Sequence, residues 1–174
     1  MSEFDSQLFD TLMEAKHYVQ ADELLKEQQG LMVDSHWHWT QWAYCKRELG
    51  DAKGALYCAN KALELAPTCP LALWEQASSL EMCELWAESI EAYDFIIGRG
   101  VHGLIDDPCN EGKPWTLRLL ADCWFYRGSC LAELDRIDEA IDSYYKHIEL
   151  RGSGRGLVVT ADVEREICKL EKRR

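Results

Sequence analysis

The sequence predicts an all-α protein built from stacked helix pairs, and three observations carry that prediction. A 34-residue period runs through the chain. Within each period, small and apolar residues recur at intervals of three and four, the spacing of one helix face. Gly50, Pro67 and Pro70 fall where such helices must end or begin.

The period is read by sliding the chain against itself. Phe9 falls on Ala43 and then Ala77, Ala21 on Ala55 and Ser89, Leu25 on Ala59 and Tyr93. Leu12 falls on Lys46 and then Leu80. A fourth copy follows after 17 extra residues, with Gly128, Leu131, Ala140 and Tyr144 at the matching places.

The first copy, residues 2–35, follows the pattern most loosely. The second, 36–69, is the clearest. Asp34 or Ser35 can cap a helix running to about Leu49, and Gly50 supplies its left-handed end. Asp51 can cap the next helix, which carries Ala55, Ala59, Ala62 and Leu63 on one face. Helices approach to about 8–10 Å only where facing side chains are small, so Ala43 and Ala55 let this pair close up. Trp39 and Leu63 fill the space around them. Pro67 ends the second helix, and Pro70 opens the third copy, 70–100. The fourth copy covers 114–152, and its first helix should begin near Pro114 and outrun its counterparts.

Two segments lie outside this register. Residues 99–113 hold Gly100, Gly103, Asp106, Asp107, Pro108, Asn110 and Gly112, so a loop is expected there, with Trp115 anchoring its return. Residues 151–156, Arg-Gly-Ser-Gly-Arg-Gly, read as a linker. After it, Thr160 can cap a helix to about 172, with Val163, Ile167 and Leu170 on one stripe. A stack of repeats needs such a helix to cover its last exposed face. Lys169, Lys172, Arg173 and Arg174 suit the helix's C-terminal dipole and are expected to be solvated.

Trp39, Trp42-Ala43, Gly50, Ala55, Ala62 and Pro67 resemble the tetratricopeptide repeat (TPR) pattern. So do Trp124-Phe125-Tyr126-Arg127-Gly128 and Asp138-Glu139-Ala140-Ile141 through Tyr144. The chain departs from the pattern at Lys46, Ser89, His147 and Gly152. The resemblance implies a single domain, 1–174: a right-handed superhelix of about four helix pairs plus a C-terminal capping helix. It also implies a concave groove, lined by the first helix of each pair, that binds a peptide or partner helix.

Composition narrows the function. With 19 basic and 31 acidic residues the net charge is −12, and no basic stripe suits nucleic acid or an anionic membrane. No apolar run approaches the roughly 20 residues that span a bilayer. The start, Met-Ser-Glu-Phe-Asp, carries no export signal, so a cytoplasmic protein is expected. The eight cysteines form no Cys-x-x-Cys pair and read as small buried residues.

No motif carries catalysis, and no cofactor or metal is expected. Gly152-x-Gly154-x-Gly156 lacks the preceding strand of a phosphate loop. His36 and His38 are two apart and so do not share a helix face. Cys109 reads as the exposed thiol, but Asp106, Asp107 and Glu111 disfavour its thiolate.

The expected function is an adaptor or scaffold, with a chaperone for a secreted or aggregation-prone client as the alternative and an enzyme or cofactor-binding regulator as the rival class. The groove residues follow from the register. The first copy offers Gln7, Asp10 and Glu14. The second offers Trp37, Thr40, Gln41 and Tyr44, and the third Trp74, Glu75, Ser78 and Glu81. The fourth offers Asp122, Phe125, Tyr126, Ser129 and Glu133. These predict a basic partner with apolar anchors, drawn in by the acids, Glu75 and Asp122 among them. Self-association stays open. The places where a TPR clamp grips a terminal carboxylate hold no cation: Ser6, Asp10, Gln41, Leu71 and Glu75 in one register, Thr40, Tyr44, Glu75, Asp122 and Tyr126 in the other. An acidic tail is therefore not the expected ligand.

Overall fold

The computed structural model describes residues 5–31, 34–151 and 160–174. Among them there are helices and turns and no strand. The helices are α1 (Ser6–Glu14), α2 (Tyr18–Glu27), α3 (His36–Glu48), α4 (Ala52–Leu65), α5 (Pro70–Met82), α6 (Trp86–Ile105), α7 (Lys113–Glu133), α8 (Ile137–Arg151) and α9 (Thr160–Glu171). A short 3₁₀ turn covers Gln29–Leu31. The chain divides into two compact units, Met1–Ser79 and Leu80–Arg174.

One turn is used four times. Lys16, Gly50, Glu84 and Asp135 all take positive φ, between 57° and 79°, and stand 34, 34 and 51 residues apart. After each, the next backbone N–H closes a bond five residues back: His17 to Leu12, Asp51 to Lys46, Leu85 to Leu80 and Arg136 to Leu131. This Schellman closure satisfies carbonyls that the helix end leaves open. Only the second turn has the glycine that the left-handed region favours; the other three carry a side chain there at some cost.

The same register sets the cores. In the first unit, α3 packs on α4 and on α2, and α2 on α1. Phe9, Ala21, Leu25, Ala43, Ala55, Ala59 and Ala77 are buried there. In the second, α7 lies against α6 and α8, and α8 against α9. Tyr93, Ile96, Leu131, Ala140 and Tyr144 are buried there. Val163, Ile167 and Leu170 form the buried stripe of α9, as the spacing predicts. Thr160 is the first residue of that helix, and residues 152–159, which include the expected linker, lie outside the described residues.

Ser35 caps α3 by accepting from the His38 N–H (3.3 Å), and Asp51 caps α4 by accepting from Gly54 (3.0 Å). Pro70 is the first residue of α5, where its missing N–H costs nothing. α7 begins at Lys113 and runs 21 residues, against 13 for α3 and α5.

Residues 99–113 are not one loop. α6 continues to Ile105 across a kink at Gly100, whose φ of 61° and ψ of −178° belong to a region open only to glycine. Gly103 lies inside the helix, because buried Leu104 anchors the extra turn. Only 106–112 are non-helical. Arg99 holds the segment by donating to the Gly103 carbonyl (2.7 Å) and pairing with buried Asp107 (3.0 Å). The return is closed by Asn110, which accepts from Gly112 and donates to Thr116 (2.7 Å). These polar bonds close the segment, and Trp115, on which the return was expected to anchor, is half-buried in the first turn of α7.

The departures from the repeat pattern are accommodated locally. Lys46 pairs with Asp22 (2.9 Å), which also accepts from the Trp42 indole N–H (2.6 Å). Leu80 and Leu131 stand at the matching places of Lys46, and Leu56, Ile90 and Ile141 at those of Asp22. An ion pair has replaced an apolar pair. His147 sits fully buried with Nδ1 2.7 Å from the Ala121 carbonyl. Arg173 and Arg174 are not simply solvated: they pair with Asp135 and Asp138, each at 3.0 Å, although all four side chains stay exposed.

Candidate functional site

In the first unit the expected groove residues lie on α1, α3 and α5: Gln7, Asp10 and Glu14 on α1 are exposed, Thr40 on α3 is buried, and the others fall into two kinds. Trp37 is 37% exposed, with its ring edge-on to Phe9. Gln41, Tyr44, Trp74 and Ser78 are half-buried. The Tyr44 hydroxyl meets that of Tyr18 at 3.5 Å, and burial holds its phenol above the ordinary value. Glu75, by contrast, is buried and accepts from Arg47 Nε at 3.0 Å. The same guanidinium meets Glu48 (2.8 Å) and lies over the Tyr44 ring (4.9 Å). Burial raises the Glu75 pKa, and Arg47 opposes the rise. Glu75 is thus a structural ion-pair partner, neutralised from inside, and not an acid that steers a ligand.

In the second unit Glu81, at the end of α5, is half-buried and accepts from the Tyr93 hydroxyl at 3.1 Å. Burial pushes its carboxyl up to about 7. Tyr126 stacks on Tyr93 with ring centres 6.2 Å apart. Phe125 packs against Tyr126, Tyr144 and His147 within the pair α7–α8, so it is half-buried core as much as lining. Ser129 approaches the Tyr144 hydroxyl at 3.3 Å. Glu133 is exposed. Asp122 is only 5% exposed, and burial pushes it up to about 6 against the opposing charges of Arg118 and Arg151. The acidic lining therefore comes down to Glu81 and Glu133 here and to exposed Asp10 and Glu14 on α1; Glu75 and Asp122 are withdrawn from it because the packed helices exclude water from them.

Sequence spacing did not locate the ion pairs, because they join residues 28 and 24 apart, Arg47 to Glu75 and Lys46 to Asp22. The departure at Lys46 was the available signal: a cation on an apolar position demands a buried anion. A second concavity of about 450 Å³ is lined by Trp124 and Arg127 of α7 and by Asp142, Tyr145, Lys146 and Glu149 of α8. None of the expected groove residues lines it. Arg127 is committed to Asp94 and Ser143, both at 2.6 Å, and Lys146 to Glu149 at 2.7 Å.

His36 and His38 diverge. His38 is fully buried, edge-on to Trp39 and Trp42, and burial lowers its pKa. The exposed thiol is Cys168, not Cys109, which is half-buried and donates its N–H to Asp107 (2.9 Å). Cys45, Cys58 and Cys130 are buried, and burial pushes each thiol up to about 12, the opposite of a nucleophile's requirement. Among the described residues no helix is long and apolar enough to cross a membrane.

Solved structures share this fold. MamA 41-end from Desulfovibrio magneticus RS-1 superposes with a TM-score of 0.75 at 12% identity, over 97% of this chain and 82% of that one. A crystal structure of MamA matches with a TM-score of 0.73 at 16% identity, over 95% of this chain and 83% of the other. MamA is TPR-like, so the chain has a TPR-type all-α fold. No family model matches the chain, and no curated protein does.

Proposed function

We propose that this chain is a protein-interaction module, an adaptor or scaffold whose first-of-pair helices hold a peptide or helix of a partner protein. The observation that carries the reading is a set of aromatic side chains left at least partly exposed on helices that bury their other face: Trp37, Tyr44 and Trp74 in one unit, Tyr126 in the other. Rigid aromatic rings on a fixed backbone are the usual energetic centres of protein interfaces. The net charge of −12 favours a basic partner with apolar anchors. A cytoplasmic setting is part of the same proposal.

The test begins with a partner captured from native lysate on the full chain and identified by mass spectrometry. Its affinity is then measured against purified Trp74→Ala and Tyr126→Ala. Each is expected to lose about 2 kcal/mol of binding with the melting temperature nearly unchanged. Glu133→Lys should slow association, and added salt should weaken the complex. A complex that salt leaves untouched or strengthens would exclude an acidic binding face.

A further inference from the structure

The repeat register exposes a vacancy in charge at Glu81. In the first unit, position 47 of one first-of-pair helix reaches position 75 of the next, as Arg47 donates to Glu75 at 3.0 Å. The matching places one pair later are 81 and 126. There the arginine is replaced by Glu81 and the glutamate by Tyr126. The carboxylate remains, but the cation that would answer it is gone.

Among the described residues of the second unit, none supplies another. From α6, Tyr93 offers its hydroxyl to Glu81. From α7 come Tyr126, stacked on Tyr93, and Cys130, which also feels Glu133; from α8 comes Tyr144. The negative charge of Glu81 helps to raise both the Cys130 thiol and the Tyr144 phenol, after burial, which raises each most. Every one of these groups is neutral or acidic. Among the described residues, no guanidinium or ammonium lies against Glu81. The first unit displays what such a place accommodates: one guanidinium bonded to a carboxylate and resting over a tyrosine ring, as Arg47 does with Glu75 and Tyr44.

We propose that Glu81, which accepts from the Tyr93 hydroxyl, anchors an arginine side chain of the partner protein, with the Tyr126 ring that stacks on Tyr93 as the neighbouring aromatic surface. This deepens the adaptor reading and rests on it. A guanidinium can donate two bonds to a carboxylate while its face lies on a tyrosine, which ammonium does less well. The site also has a proton to release. Burial holds Glu81 protonated up to about pH 7, so an incoming cation displaces that proton and binding strengthens as pH rises through neutrality.

The probes are three short peptides, acetyl-Gly-Leu-Xaa-Leu-Gly-amide, with arginine, citrulline or glutamate at Xaa. They are titrated into the full chain, with the Tyr126 ring resonances as readout. At about pH 8 the arginine peptide should bind at least roughly tenfold more tightly than its neutral isostere citrulline. It should weaken roughly thirtyfold on going to about pH 5.5, while the citrulline peptide stays flat. Glu81→Gln should erase both differences and keep the native circular dichroism spectrum. Equal binding of arginine and citrulline, or an arginine preference that survives Glu81→Gln, overturns the assignment. If those equal affinities both fall in Tyr126→Ala, where the Tyr93 ring resonances serve as the readout, the groove reading survives and only the arginine anchor is lost. If no peptide moves the Tyr126 resonances, the anchor is also lost, and the captured partner alone decides the groove.

Discussion

The Tyr144 ring lies so close to Gly128 that a Cβ on that glycine would stand 2.8 Å from Cε1 and 3.2 Å from the Ala140 carbonyl. The same register position holds Phe9, Ala43 and Ala77 in the other copies. Its counterpart on the second helix of each pair holds Leu25, Ala59, Tyr93 and Tyr144. The fourth pair joins the smallest residue to a large one. Gly128→Ala should therefore destabilise the fold by about 1–3 kcal/mol, since ring and backbone must both move. Adding Tyr144→Leu should recover part of that loss. Urea unfolding of the single and double variants checks it; a neutral Gly128→Ala would mean that α7 and α8 separate freely.

The four matched turns allow stabilisation by repair. Glu84→Gly places the residue suited to positive φ and should gain roughly 0.5–1 kcal/mol, while Gly50→Ala should lose about as much. Leu85, the N-cap of α6, has no side-chain cap and is 39% exposed, whereas its counterpart Asp51 caps α4. Leu85→Asp should add about 1 kcal/mol. Thermal melts of the three variants should rank Gly50→Ala below wild type and the other two above it.

Arg47 and Glu75 test whether the buried pair is structural. Arg47→Leu leaves the Glu75 carboxylate buried without its cation and should cost about 3–5 kcal/mol. The double variant Arg47→Leu/Glu75→Leu should return most of that. A double-mutant cycle with a coupling energy near zero would show that Arg47 and Glu75 do not stabilise one another.

The pH dependence has a definite sign. Glu81 titrates at about 7 and Asp122 at about 6 in the folded chain, above ordinary values of 4.5 and 3.8. Between those limits the folded state holds protons that the unfolded state has released, so stability is lost as pH rises towards 7. His38 and His147, lowered by burial, act oppositely and favour unfolding below about pH 6.5. Comparing Glu81→Gln with wild type isolates one group. The variant should be more stable at about pH 8, by on the order of 3 kcal/mol at most, with the difference vanishing near pH 4. A stability difference that does not change with pH would contradict a raised Glu81.

What the sequence determined alone is the repeating architecture. The 34-residue register, the caps at Ser35 and Asp51, the stripe of Val163, Ile167 and Leu170 and the early start of α7 follow from local spacing, because helix period, capping and turn chemistry act within a few residues. What only the tertiary structure decided is the state of the charges. Glu75, Glu81 and Asp122 read as equivalent lining acids in sequence. In the fold one is neutralised by Arg47, one is pushed up to about 7 by burial against the opposing bond from Tyr93, and one is shut away from water. Likewise Gly100 and Gly103 read alike, yet only Gly100 breaks the helix, because buried Leu104 holds the turn that contains Gly103. Solvation and ion pairing depend on neighbours that the chain brings together from a distance, and periodicity carries no record of them.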